Sequence, residues 1–332
     1  MLDVNVSINA IITYCNESVL GLNLGNGYTI VKAHVDDLPI KDKITDGRGR
    51  LTIDYFKSVK CDDTGKYLFC LRKSEVYQIE NPITGPGVYT GDTLSCREAI
   101  EKYNDAENKY LHKIFSLLHL FGEGNIGTKQ IFLDHCFSIG ILKNKINHTI
   151  DNVTRNTTDQ REYSLTESEV IECNQFLTDY AGAEFELLKD CINEFVWGLE
   201  QIDDATGFEQ FTTALEMTLL GHNQQGKKEV LSKRVAVLLG KGTADITQLY
   251  RKMKDFYRYR SESLHEGDAG SISATERLEM ERIVRSVLNS CLRRCKAELV
   301  AAPSISWSEI KAKIINDLKL KVIVEENAGA FT

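Results

Sequence analysis

Polar and hydrophobic residues alternate over the first part of the chain, which is the period of a half-buried β-strand. The alternation is clearest at Leu2, Val4, Val6 and Ile8. It returns at Leu20, Leu22 and Leu24 and leads into Asn26-Gly27, which an apolar run follows. Asn-Gly between two such runs predicts a β-hairpin, because both residues tolerate the positive φ of a type I′ turn. Residues 67–71 and 76–79 predict two further short strands.

A helical period replaces the alternation after residue 92. Apolar residues recur at helical spacing from Cys96 to Phe121, and no proline occurs between Pro86 and Pro303. Capping-box pairs, which satisfy the first backbone amides of a helix, lie at Thr166–Glu169, Ser273–Glu276 and Ser306–Glu309. The pattern predicts a helix in the tail and others over 167–180, 183–201, 208–221, 227–240, 244–260 and 274–297. The polar stretch 144–161 predicts a surface loop.

Together these elements predict an α+β protein built from successive segments. A small β-rich domain over 1–92 is followed by a helical connecting region over 93–204. A helical domain over 205–302 and a C-terminal helix and tail over 303–332 complete the chain. A separate N-terminal domain offers a place for control, so we expect residues 1–92 to act as a sensor or regulator.

The composition is that of a globular protein: 42% of the 332 residues are hydrophobic and 27% are charged. No run approaches the ~20 apolar residues that span a bilayer, and the N-terminus lacks the features of a secretory signal. We therefore expect a cytoplasmic protein with no membrane partner. Forty basic against 48 acidic residues give a net charge of −8, so contact with nucleic acid requires a local basic patch. Nine cysteines without framework spacing predict reduced thiols.

Two short motifs favour structural roles. Gly122 to Gly127 matches the G-x-G-x-x-G pattern of dinucleotide sites, but a helix rather than a strand precedes it, so Gly122 is predicted to cap that helix. Cys291 and Cys295 lie four residues apart on a predicted helix, and no second pair or neighbouring histidine completes a zinc site. We therefore predict that the two are core or bystander thiols, with no metal site and no cofactor.

Residues 249–267 differ from the rest of this acidic chain. Between Tyr250 and Arg260 there are five basic residues and one acidic residue, interleaved with Tyr250, Phe256, Tyr257 and Tyr259. Basic groups can hold phosphates while aromatic rings stack on unpaired bases. Lys254 and Arg258 are therefore predicted to follow an RNA backbone, and Tyr257 or Tyr259 to stack a base. An amphipathic helix with its aromatic residues in the core explains the same pattern.

Arg260 and His265 supply the candidate chemistry of this segment. Histidine can transfer protons near neutral pH, and arginine can stabilise the charge that grows on a phosphate. In an unbroken helix, positions five residues apart lie about 140° apart around the axis. The two side chains therefore converge only if the helix ends or bulges there, or if two chains face each other.

Three blocks of sequence resemble the HEPN superfamily, most closely its Apea-like branch. They are Phe208 to Glu216, Lys228 to Leu239, and Leu249-Tyr250 leading to Arg260-Ser261-x-x-Leu264-His265-x-Gly267. The resemblance covers residues 205–298, about a third of the chain. It implies a HEPN-like helical bundle that dimerises and places the Arg and His of both chains in one cleft.

The resemblance also implies a function. Many HEPN proteins are metal-independent ribonucleases of toxin or antiviral-defence systems, so Arg260 and His265 are expected to be catalytic and Ser261 to be a supporting polar residue. RNA is then the substrate, cleaved by attack of the ribose 2′-OH. A second copy of the chain and a protein trigger or antitoxin are the expected partners.

Two alternatives stay open from the sequence. The helical region can be a non-catalytic dimerisation or RNA-binding module, in which Arg260 and His265 have structural roles. It can also be a nucleotide sensor, in which the same two residues hold a phosphate without cleaving it.

Overall fold

The structure, a computed structural model, describes residues 1–52, 67–79, 93–139, 142–151, 161–221, 224–266 and 272–331. The chain is an α+β protein, as the sequence predicted. It forms two compact units, Met1–Thr178 and Asp179–Thr332. The first unit contains the β-sheet, and the second is helical.

Five antiparallel strands form the sheet of the first unit. They are β1 (Leu2–Thr13), β2 (Thr29–His34), β3 (Tyr67–Ile79), β4 (Gly127–Ile139) and β5 (Leu142–Asp151), in the order β2-β3-β1-β4-β5. β1 is central and confirms the strand predicted from its alternation. Its Val6 lies opposite Glu75 of β3 on one side and His135 of β4 on the other. β3 is one long strand, where the sequence predicted two short ones.

The hairpin predicted at Asn26-Gly27 is wrong. The preceding residues form a 3-10 helix, Glu17–Gly21, and β2 pairs with β3 rather than with them. The turn itself has the predicted left-handed backbone, with φ of 71° at Gly25, 48° at Asn26 and 74° at Gly27. The left-handed geometry is a local property of Asn and Gly, whereas the choice of partner strand depends on distant residues.

Two strands lie where the sequence predicted a helical connecting region over 93–204. β4 contributes buried side chains such as Ile131 and Leu133 to the core, and β5 pairs with it at the sheet edge. β5 also overlaps the predicted surface loop 144–161; the part of that stretch over 152–160 lies outside the described residues. An edge strand pairs along one side only and tolerates a polar sequence, so its composition resembles that of a loop.

The domain boundary predicted at residue 92 therefore falls inside the first compact unit. A cut there would separate β1, β2 and β3 from β4, which pairs with β1 over most of its length. The boundary predicted at residue 204 likewise lies within the second unit, which begins at Asp179. The pairing of β1 with β4 is a long-range contact that no local pattern reveals.

Helices cover parts of both faces of the sheet. α1 (Lys41–Ile44) belongs to a segment that packs Val35, Leu38, Ile40 and Ile44 on Ile11, Leu68, Cys70 and Phe132. The long helix α2 (Thr93–Phe121) places Ile100 against Val4, Ile79 and Phe137 on the opposite face. α3 (Glu167–Tyr180) begins at the predicted capping box, where Glu169 and Thr166 exchange hydrogen bonds.

The second unit is made of helices at the predicted places, although one begins at Asp204 rather than 208 and another continues to Glu266 rather than ending at 260. They are α4 (Ala183–Glu200), α5 (Asp204–Leu219), α6 (Lys227–Leu239), α7 (Thr243–Glu266), α8 (Ala274–Ala301) and α9 (Trp307–Asn327). The capping boxes of α8 and α9 are both present. Helical period and capping are local signals, which explains this agreement.

α4 and α5 cross at two glycines. A Cβ on Gly198 would lie 2.6 Å from the Phe211 ring, and one on Gly207 would lie 2.9 Å from the Gly198 carbonyl oxygen. The close crossing lets Arg277 of α8 reach the end of α4, where it donates to the carbonyls of Gly198 and Gln201 at 3.0 and 2.8 Å.

Candidate functional site

All seven residues predicted to form the site lie on α7. Arg260, Lys254, Tyr257, Arg258 and Tyr259 have described side chains. Ser261 and His265 lie within the helix, but their side chains are outside the described part of the structure. α7 is a continuous helix through Glu266, so positions 260 and 265 of one chain are separated by about 140° around its axis.

Glu216 of α5 joins Arg260 to two other helical residues. Arg260 Nη1 donates to Glu216 Oε1 at 2.6 Å, and the Tyr257 hydroxyl donates to the same oxygen. Lys227, the first residue of α6, donates from Nζ to Glu216 Oε2 at 3.0 Å. The Glu216 side chain is 14% exposed, and the Arg260 side chain is 21% exposed. One carboxylate thus connects α5, α6 and α7.

These contacts keep Glu216 ionised at neutral pH. Burial alone raises the pKa of its carboxyl group, but the hydrogen bonds from Tyr257 and Lys227 and the charge of Arg260 outweigh it, so the pKa is lowered. The pKa of the Tyr257 hydroxyl is raised, first by burial and then by its bond to the carboxylate. The phenol therefore stays a proton donor to Glu216.

Arg260 keeps hydrogen-bonding capacity beyond this ion pair. A guanidinium has five N–H groups, and the bond to Glu216 uses one of those on Nη1. Nε is buried and has no hydrogen-bond partner among the residues that the structure describes. The guanidinium carbon lies 5.7 Å from the centre of the Tyr257 ring, within range of a cation–π contact. Arg260 is thus held from two sides, by the Glu216 carboxylate and by Tyr257.

A second carboxylate, Glu229 of α6, engages Lys254. The Tyr250 hydroxyl donates to Glu229 Oε1 at 2.7 Å, and Lys254 Nζ donates to that hydroxyl at 3.2 Å. Lys233 also pairs with Glu229, at 3.1 Å. Burial raises the pKa of Glu229, but the bonds from Tyr250 and Lys233 outweigh it and lower the pKa. The Lys254 side chain remains 40% exposed and is accessible to a ligand.

The aromatic residues of α7 are divided between core and surface. Tyr250 and Phe256 are buried, as the amphipathic alternative predicted, and the Phe256 ring contacts that of Phe208 edge-on. Tyr257 and Tyr259 are half-buried. Arg258 is 52% exposed, pairs with Asp255 at 3.3 Å and lies over the Tyr259 ring at 5.2 Å. The Tyr257 hydroxyl is bonded to Glu216, whereas the Tyr259 ring is paired with the exposed Arg258.

Sequence reasoning missed Glu216 and Lys227. Glu216 closes the first block of the resemblance, but nothing there assigned it a role. A signal was available, because Tyr257 and Arg260 are three residues apart and therefore lie on the same face of the helix. An arginine on a face that packs against another helix requires an acidic partner there. Which acid supplies that partner depends on how α5 packs on α7.

A buried polar network in the first unit was also missed. Glu107 of α2 accepts from Lys73 Nζ at 2.8 Å and from the Tyr28 hydroxyl at 2.5 Å. Nearby, His135 has its Nδ1 3.2 Å from the Tyr77 hydroxyl and its Nε2 2.9 Å from Asn104 Oδ1. Burial, followed by the charge of His148, lowers the pKa of His135 to about 4. Its imidazole is therefore neutral at physiological pH.

The two short motifs have the predicted structural roles. α2 ends at Phe121, the Gly122 amide donates to the Leu118 carbonyl at 3.0 Å, and β4 follows from Gly127. This helix-to-strand order is the reverse of a dinucleotide site. Cys291 and Cys295 are buried thiols, and burial raises the pKa of both. In the described part of the chain, no group of three or more His, Cys, Asp or Glu side chains is placed to hold a metal ion.

No family model, curated protein or solved structure matches this chain. Within the described residues, no helix is both long enough and apolar enough to cross a lipid bilayer.

Proposed function

We propose that this protein is a metal-independent endoribonuclease of the HEPN type, acting as a toxin or antiviral-defence effector. The observation that carries the proposal is the state of Arg260. Its side chain is 21% exposed and is held in place by Glu216 and Tyr257, and its bond to Glu216 uses a single nitrogen, Nη1. An arginine arranged in this way is suited to bind a phosphate.

The proposed chemistry divides between two residues. His265 takes the proton from a ribose 2′-OH as the oxygen attacks the adjacent phosphorus. Arg260 stabilises the extra negative charge on the phosphoryl oxygens, and a histidine protonates the departing 5′-oxygen. Ser261 supports the site, while Lys254 and Arg258 hold the RNA backbone and Tyr259 stacks a base. Tyr257, whose hydroxyl is bonded to Glu216, acts mainly by holding Arg260.

Two chains are proposed to share each cleft. Because α7 is unbroken, positions 260 and 265 of one chain lie about 140° apart around its axis, and a second copy supplies the complementary residue. We therefore expect a homodimer, measurable by light scattering or ultracentrifugation. A strict monomer at micromolar concentration would contradict the shared cleft.

Cleavage of RNA in EDTA tests the proposal directly. Arg260→Ala and His265→Ala should each lose about 10²-fold or more in rate while staying folded, because each removes a group that acts in the transition state. Arg251→Ala, an exposed arginine on the same helix, is the matched control and should keep its activity. Products should carry a 2′,3′-cyclic phosphate and a 5′-hydroxyl, and DNA should resist because it lacks the 2′-OH. Loss of activity in EDTA would refute the mechanism.

The ion pair between Arg260 and Glu216 favours a second candidate function, a non-catalytic helical module. In that case the pair ties α7 to α5, and RNA or a nucleotide binds without being cleaved. Calorimetry with RNA and with nucleotides separates these cases from the ribonuclease, because binding would be seen with no product.

A regulatory role for the β-rich unit completes the proposal, with a protein trigger or antitoxin as its partner. The unit boundary defines the informative truncation. A chain that begins at Asp179 removes the whole first unit and leaves no broken sheet behind. Higher RNase activity of that chain would support restraint by the first unit, and unchanged activity in a folded, dimeric truncation would contradict it.

A further inference from the structure

We propose that Glu216 is the positioning residue of the site: it orients the Arg260 guanidinium toward the RNA phosphate while remaining bound to it. This inference rests on the proposed function, because it assigns a role to Glu216 in binding the same substrate. Its basis is the geometry of the hydrogen bonds around the carboxylate.

The bond between the two side chains is a single one. Arg260 reaches Glu216 Oε1 through Nη1 alone, whereas a bidentate pair would engage two N–H groups of the guanidinium fork. A single contact fixes the position of the guanidinium and uses one of its five N–H groups. Because Nε is buried while the side chain is 21% exposed, the proposed second anion binds at the Nη groups. Glu216 therefore does not have to be displaced before a phosphate binds.

The carboxylate is itself fixed from three directions. Tyr257 and Arg260 share Oε1, and Lys227 binds Oε2, so donors from α6 and α7 restrain a side chain of α5. A group restrained on both oxygens has little rotamer freedom and can act as a rigid support. Tyr257 adds a second restraint on Arg260 through its ring.

The net charge of the cluster also indicates that Glu216 positions Arg260 and does not compete with the phosphate for it. Arg260 and Lys227 together carry two positive charges against the single negative charge of Glu216. The cluster is therefore net positive and still attracts a phosphate. A lone Arg–Glu pair would be neutral and would resist a second anion.

The test is a double-mutant comparison that does not require cleavage. A 2′-O-methyl RNA oligonucleotide, which cannot undergo 2′-OH attack, is bound to wild type, Glu216→Ala, Arg260→Ala and the double variant. Loss of either side chain should weaken binding about tenfold, as expected for a charge-assisted hydrogen bond. The double variant should bind no more weakly than Arg260→Ala, because Glu216 acts through Arg260.

A matched control and a conservative variant separate positioning from folding. Glu209→Gln, on the same helix and outside the cluster, should bind as wild type does. Glu216→Gln keeps an oxygen that accepts from Arg260 and should recover part of the affinity that Glu216→Ala loses, with melting temperatures measured in parallel.

Each other outcome overturns the inference. Additive losses in the double variant would show that Glu216 has a structural role independent of Arg260. Tighter binding by Glu216→Ala would show that Glu216 competes with the RNA phosphate for Arg260. A wild-type protein that does not bind the oligonucleotide would show that Arg260 does not form an RNA site. If wild type binds the methylated RNA but does not cleave ordinary RNA, the proposed ribonuclease function fails while the double-mutant comparison still decides the role of Glu216.

Discussion

Replacing Lys73 by methionine removes the cation of the buried network in the first unit. Lys73 is 2% exposed at its side chain and binds two carboxylates, Glu107 (9% exposed) at 2.8 Å and the more exposed Glu75 (37%) at 2.9 Å; Glu107 is the buried charge that its removal leaves behind. Removing one partner of a buried ion pair costs about 3–5 kcal/mol, because the other charge is left without compensation. Glu107 keeps its bonds from Tyr28 and Asn26, so we expect a loss near the lower limit, about 3 kcal/mol.

The assay is urea unfolding followed by circular dichroism, with thermal melting in parallel. For a unit of this size, a loss of about 3 kcal/mol lowers the melting temperature by about 6–12 °C. Lys32→Met makes the same substitution at an exposed pair with Glu17, where side-chain exposures are 33% and 70%, and should cost less than about 1 kcal/mol.

A second substitution identifies the uncompensated charge as the cause. Glu107→Gln in the Lys73→Met background removes that charge while the amide oxygen still accepts from Tyr28, so the double variant should be more stable than Lys73→Met alone. Two results would refute the reasoning. One is that Glu107→Gln lowers the stability of the Lys73→Met variant by as much as it lowers the stability of the wild-type protein. The other is that Lys73→Met costs no more than Lys32→Met.

Three further predictions concern stability. His135, with its pKa lowered to about 4 from an ordinary value near 6.5, contributes stability that is complete above pH 6.5 and is lost by about 3 kcal/mol as the pH falls toward 4. His135→Gln should flatten this part of the urea-midpoint profile; an unchanged slope would contradict it. Arg277→Ala removes the donor to three carbonyls at the C-terminal end of α4 and the partner of Asp204, and should cost about 2–4 kcal/mol in urea, with no rescue by lysine. Ser306→Ala removes the N-cap of α9 and should cost about 1 kcal/mol in melting experiments, while Ser306→Gly should cost a few tenths; equal losses would rule out the cap.

The elements whose signals are local could be predicted from the sequence. The helices of the second unit begin where Ser273 and Ser306 supply capping boxes, and β1 lies where apolar residues alternate. The sequence also predicted, over 244–260, the basic and aromatic helix that carries Arg260, although α7 continues to Glu266 and so includes His265. Each of these features depends on residues a few positions apart, so a linear pattern contains the necessary information.

Which distant residues contact each other depends on how the chain folds. β5 has a polar sequence that resembles a loop, and it becomes a strand because β4 offers a free edge. The turn at Asn26 keeps its left-handed backbone but leads to β3 as the partner of β2. Arg260 meets Glu216, 44 positions earlier, because α5 packs on α7, and Lys73 meets Glu107 because α2 lies on the sheet. Such pairings are set by the burial of whole helix and sheet faces, which a local stretch of sequence does not specify.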